Sequence, residues 1–276
     1  MLKFSLLEQI ALAIFLLSGI SFFLYHLILR LRIVLKGKSN FNVDELPKRI
    51  IRVFDEVILH KKVASGDRKS AGILHALVMY GFIFFGLITI NHFGMAFGLP
   101  IFSESIRHTY FLIFGAPWAI LCTIGILGLA YRRFVIKPEA LGKFSSTSAL
   151  VSVFIITLMT TYLIDELHIL TGAAEKFNWW LHSGVIGGFL FLIPQSKHMH
   201  LVLSPFNIFL RPFEVPNHGA IPIDMEASEE ELDNLLLDLS RLSKDQALDI
   251  FTCVECGRCT EVCPANRGGG ILDPKY

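Results

Sequence analysis

Apolar residues gather into five long runs along the chain, approximately Leu6–Leu29, Gly72–Phe97, Thr109–Tyr131, Ser148–Ile164 and Trp179–Leu203. A helix crossing a hydrocarbon core of about 30 Å needs about 20 apolar residues. The five runs fit that requirement, and none carries Lys, Arg, Asp or Glu in its middle. The fifth is the least uniform. Pro194 predicts a kink there, and Lys197 lies near its end. The first run is too long for a cleavable signal peptide and lacks a small-residue cleavage site, so it reads as a retained anchor.

Basic residues set the expected orientation. The stretch after the first run holds eleven, from Arg30 to Lys69, and the loop after the third holds Arg132, Arg133, Lys137 and Lys143. The opposite side has only Lys3, Arg107 and Lys176. This places the amino terminus outside and the carboxyl tail in the cytoplasm of a bacterial-type inner membrane. Between the first two runs, Asp44–Lys62 has Leu46, Ile50, Val53, Phe54, Val57 and Ile58 at helical spacing among basic residues. That pattern predicts an amphipathic helix on the inner membrane surface. The alternative is a connecting helix packed on other protein.

Composition agrees with a membrane chain. Of 276 residues, 53% are apolar and 18% charged, with 24 Phe against 3 Trp. Soluble domains carry nearer a quarter charged residues. The net charge of +1 argues against nucleic-acid binding, which needs a basic excess.

Histidines stand at both ends of two apolar runs: His75 and His92 in the second, His182 and His200 in the fifth, with His198 beside His200. An ionisable side chain at membrane depth is costly and points to function. Spans two and five run antiparallel, so His92 is expected to pair with His182 near the outer face. His75 pairs with His200, or with His198, near the inner face. Two imidazoles on facing helices can clamp a haem iron. On one ideal helix His182 and His200, 18 residues apart, point the same way, which favours His200 over His198. His75 and His92 are separated by roughly 25 Å along the axis, leaving room for two stacked b haems. Gly86, Gly184, Gly187 and Gly188 are candidates for close porphyrin approach; the alternative is helix packing. His26, His60, His108, His168 and His218 have no assigned role.

Four of the five cysteines form Cys253-Val-Glu-Cys256-Gly-Arg-Cys259-Thr-Glu-Val-Cys263-Pro264. This C-x2-C-x2-C-x3-C-P run is the ligand pattern of a ferredoxin-type [4Fe–4S] cluster. A zinc site more often uses two separated pairs. Cys122 reads as a small apolar filler. In two-cluster ferredoxins the fourth cysteine of such a run serves the other cluster, and no second run is present here. The chain is therefore expected to be the front part of a longer or split protein, holding at most one cluster. Ahead of the run, 211–245 is acidic, with a capping-box pattern at Ser228 and Glu231 followed by Leu232, Leu235, Leu236, Leu239 and Leu242 at helical spacing.

The expected fold is an all-α membrane protein. A five-helix transmembrane haem b bundle occupies 1–210, an acidic linker 211–245, and a short cytoplasmic ferredoxin-like iron–sulfur segment 246–276.

Gly72-Ile-Leu-His75-Ala-Leu, Ser196-Lys-His198-Met-His200, Ser204-Pro-Phe-Asn-Ile-Phe209 and the cysteine run carry a resemblance over nearly the whole chain. The membrane part resembles the dihaem cytochrome b (gamma) subunit of respiratory nitrate reductase. The tail resembles the iron–sulfur part of heterodisulfide reductase. The fusion is similar to bacterial membrane oxidoreductases linking electron-transfer flavoprotein to menaquinone. The resemblance implies respiratory electron transfer between a cytoplasmic flavoprotein or iron–sulfur partner and the quinone pool. The alternative is a haem-bearing anchor that relays electrons to a separate catalytic subunit. Such fusions continue with further cysteine-rich domains, and this sequence departs from them in stopping at Tyr276.

Overall fold

The computed structural model describes residues 2–38, 44–65, 68–213, 226, 228–230 and 242–275. Among these every regular element is helical. The elements are α1 (Leu6–Val34), α2 (Leu46–Val53), α3 (Lys69–Ala96), α4 (Glu104–Tyr110), α5 (Ala116–Tyr131), α6 (Ser146–Glu166), α7 (Ala173–Leu192), α8 (His200–Leu210), α9 (Lys244–Thr252), α10 (Arg258–Val262) and α11 (Pro264–Arg267). The chain divides into two compact units. The first is Met1–Phe22, Lys62–Phe191 and Glu255–Tyr276; the second is Phe23–Lys61 and Leu192–Val254.

Among the described residues, four helical stretches are long and apolar enough to cross a membrane: Leu6–Val34, Lys69–Ala96, Glu104–Ile136 and Ser146–Glu166. They match the first four apolar runs. The fifth run, Trp179–Leu203, is not one helix. α7 starts earlier, at Ala173, and stops at Leu192. Pro194 lies in a 3-10 turn, Ile193–Gln195, and a second turn, Lys197–Met199, leads into α8. Proline has no N–H to continue the helical ladder, and its ring clashes with the preceding turn. The preference for His200 over His198 by helical angle required an unbroken helix and is lost at this break.

In the first unit, α3 packs on α5 and α5 on α6. The α3–α5 contact is close because α5 offers glycine. A Cβ on Gly125 would stand 2.7 Å from the Leu74 carbonyl oxygen and 3.1 Å from the Leu77 and Val78 side chains. Small residues at such crossings let membrane helices approach. Cys122 is buried against Gly81 of α3, in keeping with its reading as a filler. Leu12, Ala96 and Trp179 form a small core at the other end of α3, joining α1, α3 and α7. Gln9 Nε2 donates to the Ala96 carbonyl at 2.8 Å, and Lys176 pairs with Glu8 at 2.7 Å.

In the second unit, Val34, Met199, Leu203, Ala247 and Leu248 form the core. The 44–62 segment is helical as expected, continuing from α2 through a π turn at Phe54–Ile58. Its faces sort differently from a simple amphipathic pattern. Leu46, Ile50, Ile51 and Phe54 are exposed, whereas Arg49 is buried. Arg49 Nε donates to the Asp44 carbonyl at 2.7 Å, and its Nη1 to those of Phe209 at 2.7 Å and Arg211 at 3.2 Å. The carbonyls at the end of α8 have no helical partner, and the guanidinium supplies one. Glu231 of the Ser228–Glu231 pattern and most of its leucine stripe lie outside the described residues. A capping box does form further on, where Ser243 Oγ accepts from the Gln246 N–H at 3.1 Å and Gln246 Oε1 from the Ser243 N–H at 2.9 Å, starting α9.

Candidate functional site: a buried histidine pair and a cysteine run

Within the first unit, α3 and α7 bring His92 and His182 together. Their ring centroids are 5.0 Å apart, with planes inclined at 53°. Both side chains are buried. Thr161 lies on the facing helix α6, and its Oγ1 is 2.7 Å from His182 Nδ1. That hydroxyl also sits 2.6 Å from the Thr157 carbonyl. A hydroxyl has one hydrogen and a carbonyl can only accept, so the Thr161 O–H goes to Thr157. His182 Nδ1 must then carry the proton, and Nε2 keeps its lone pair. An imidazole oriented in this way is the usual form of a metal-ligating histidine. Asn178 Nδ2 donates to the Thr161 carbonyl at 2.9 Å, bracing the same corner.

His92 is held differently. Its Nε2 lies 2.9 Å from Ser183 Oγ, and its ring stacks on Trp179 with centroids 4.7 Å apart and planes at 13°. The two buried imidazoles on facing helices are a donor set that suits haem iron. His182 presents a ready nitrogen, while His92 would exchange Ser183 for the metal. The glycines do not form the expected cradle. Gly184 lies about 200° around α7 from His182 and is exposed, with nothing within 4 Å of an added Cβ. Gly86 likewise faces open space. Gly188 abuts Phe154, at 2.9 Å from an added Cβ, and Gly187 abuts Phe15. These two serve helix packing.

His75 belongs to the first unit, and His198 and His200 to the second. His200 Nδ1 donates to the Lys197 carbonyl at 2.8 Å, which leaves its Nε2 unprotonated. His198 Nδ1 is 3.1 Å from Ser196 Oγ, and the two histidine rings have centroids 6.2 Å apart. The carbonyl contact sets the tautomer of His200 with Nε2 free, and the Ser196 hydroxyl, which reaches the Ile193 carbonyl at 3.3 Å, sets His198 the same way. His60, with no assigned role in the sequence, is buried and donates from Nδ1 to the Val57 carbonyl at 2.7 Å. Burial pushes its pKa down from the ordinary value.

Cys253 caps the end of α9. Cys259 lies in α10, and Cys263 precedes Pro264, the first residue of α11. Proline suits a first helical position because its missing N–H is not needed there. Glu255 at φ 53° and Gly257 at φ 74° take left-handed backbone, so the chain turns sharply on each side of Cys256. At Gly257 a side chain would also collide with the Ala140 carbonyl. Cys253 and Cys259 are exposed, and Cys256 and Cys263 half-buried. Among the described residues, no group of three or more His, Cys, Asp or Glu is gathered closely enough to hold a metal ion. The donor chemistry and spacing of the four cysteines fit a cluster.

Arginines hold the first-unit part of this run. Arg68 Nη1 donates to the Cys256 carbonyl at 2.7 Å, and the same guanidinium pairs with Glu261. Arg258 donates to the carbonyls of Lys62 and Val63 at 3.1 and 3.3 Å. Lys275 Nζ donates to the carbonyl of Leu141 at 2.9 Å. The run is thus seated on the segment before α3 and on the loop after α5, the two loops in which basic residues concentrate. His92 lies 24 residues along from Arg68, about 36 Å by helical rise. The first-unit part of the run, from Cys256 on, and the His92–His182 pair therefore occupy opposite ends of α3.

Two curated proteins are similar to the chain over most of its length. A "probable iron-sulfur-binding oxidoreductase FadF" of Bacillus subtilis is 30% identical over 91% of this chain and 39% of that protein. An "EtfAB:quinone oxidoreductase" of Syntrophomonas wolfei is 25% identical over 87% of this chain and 38% of that protein. The chain thus spans about two-fifths of the length of either. No protein-family profile and no solved structure matches it.

Proposed function

We propose that this chain is the membrane electron-transfer part of a quinone-linked iron–sulfur oxidoreductase. It lies in the inner membrane with its amino terminus outside and its cysteine run in the cytoplasm. Electrons pass between electron-transfer flavoprotein, or a soluble iron–sulfur partner, and a quinone such as menaquinone. The observation that carries this reading is the seating of a C-x2-C-x2-C-x3-C-P run at the basic end of an apolar bundle whose far end holds two buried imidazoles. The printed names of both relatives, one iron–sulfur-binding and one acting between electron-transfer flavoprotein and quinone, support it.

A [4Fe–4S] cluster and b haems carry single electrons, and the residues here place and insulate them. Cys253, Cys256, Cys259 and Cys263 would hold the cluster. His92 and His182 would hold one haem near the outer face. His75 would be a ligand of a second near the inner face. The length of α3 argues for two: about 36 Å separates the cysteine end from His92, and His75, seven residues after Arg68, supplies an intermediate station. Thr161 fixes the His182 tautomer, and Trp179 shields His92 from solvent.

The test is anaerobic purification followed by addition of a hydroquinone. Reduction of b-type absorbance, with iron and sulfide analysis giving about four non-haem irons per chain, is the expected result. A stable zinc site without a cubane signal, or haems that ignore hydroquinone, would overturn it.

A further inference from the structure

His92 and His182 line a narrow cavity together with the apolar Ile88, Met95 and Phe102 and the charged Arg107, Asp165 and Glu166. The two carboxylates are unusual for their place. Asp165 and Glu166 are in the last turn of α6, where the helix dipole already presents negative charge and disfavours anions. Arg107 Nη1 pairs with Glu166 at 2.8 Å, and the Glu166 side chain is only 10% exposed. The second bond of Arg107 runs outward to exposed Glu104 at 3.4 Å. One guanidinium thus bonds the mostly buried Glu166 and exposed Glu104, and acts on half-buried Asp165 through its charge alone. His168 and Glu175 also act on Asp165, and Tyr162 and Tyr110 line the same cavity. Helix stability does not account for a second carboxylate there.

We infer that this cavity is a proton-exchange route for quinone chemistry at the outer end of the bundle, with Glu166 as the exchanging carboxylate and Arg107 as its positioning residue. The inference rests on the reading of the chain as quinone-linked. Reduction of a quinone consumes two electrons and two protons and yields hydroquinone; oxidation returns the same. The cofactor that His92 and His182 would hold would supply or take up the electrons. Glu166 gives a proton to the quinone on reduction and regains one from water on the exposed Glu104 side. The narrow cavity suits water and protons.

Two measurements on the full chain test this. In the reduced-minus-oxidised infrared spectrum, a protonated-carboxyl band should appear in the native protein, vanish in Glu166→Gln, shift in Glu166→Asp and persist in Asp165→Asn. Glu166→Gln should also slow hydroquinone turnover at least tenfold and flatten its pH profile, with the visible haem spectrum unchanged. A native carboxyl band and pH profile retained in Glu166→Gln would overturn the route while leaving the electron-transfer reading intact. A preparation without haem absorbance would overturn that reading, and the route with it.

Discussion

The two ends of the first unit reach readiness for chemistry by different means. At the far end of α3, side chains hold side chains: Thr161 grips His182, Ser183 grips His92, and Trp179 stacks on His92. At the near end, arginines hold mostly backbone, through the carbonyls of Cys256, Lys62 and Val63, with one ion pair from Arg68 to Glu261. The thiols themselves are left exposed or half-buried. The contrast follows from the environment. At membrane depth an unpaired imidazole is costly, so its partners must be built into the fold. Near water a thiol can wait for its metal, and binding energy then completes the folding of the loop. The histidine end should therefore keep its shape without cofactor, whereas the cysteine end should tighten on loading.

The largest effect should come at the cysteine end. Cys256→Ser should abolish the cubane signal in electron paramagnetic resonance and leave the haem content unchanged. If cluster iron persists in that variant, the ligand set is wrong. Next comes His182→Ala, which should halve the haem, as should His75→Ala. Thr161→Val removes the side-chain partner of His182 and should weaken haem retention by about 10- to 100-fold, the usual cost of losing such a supporting bond. Full haem affinity in Thr161→Val would show that the Leu158 backbone contact alone suffices to hold His182.

Arg68→Met should act on the other side of the comparison. It leaves the Cys256 carbonyl and Glu261 without their partner, at about 1–3 kcal/mol, and should speed proteolysis of the cysteine run before loading more than after. Equal rates in both states would mean that the loop does not tighten on its metal. Lys176→Ala, which removes a partly exposed pair with Glu8, should change stability by only about 0–1 kcal/mol. A larger loss in thermal denaturation would make that contact part of the histidine end.

Much of this was legible in the sequence. The first four apolar runs became helices with ends shifted by a few residues, because crossing a hydrocarbon layer is a matter of length and composition. The fifth failed at Pro194, where a local rule outweighed the apolar average. The pairing of His92 with His182 followed from antiparallel geometry. Their partners did not: Ser183 is 91 residues from His92 and Thr161 is 21 from His182, and no periodicity links such positions. The buried Arg49 was hidden for a related reason. A basic residue between apolar ones looks solvated until the unpaired carbonyls at Phe209 and Arg211 are seen beside it. The carboxylates at the end of α6 carried a signal that could have been read, since acidic residues in a last helical turn run against the dipole.

The central claim is that one chain holds haem at both ends of α3. The most direct measurement is the reduced-minus-oxidised visible spectrum of the purified chain, with haem quantified against protein in the native form and in His182→Ala. The account predicts about two b haems per chain in the native form and about one in the variant. Equal haem in both, or none in either, would contradict it.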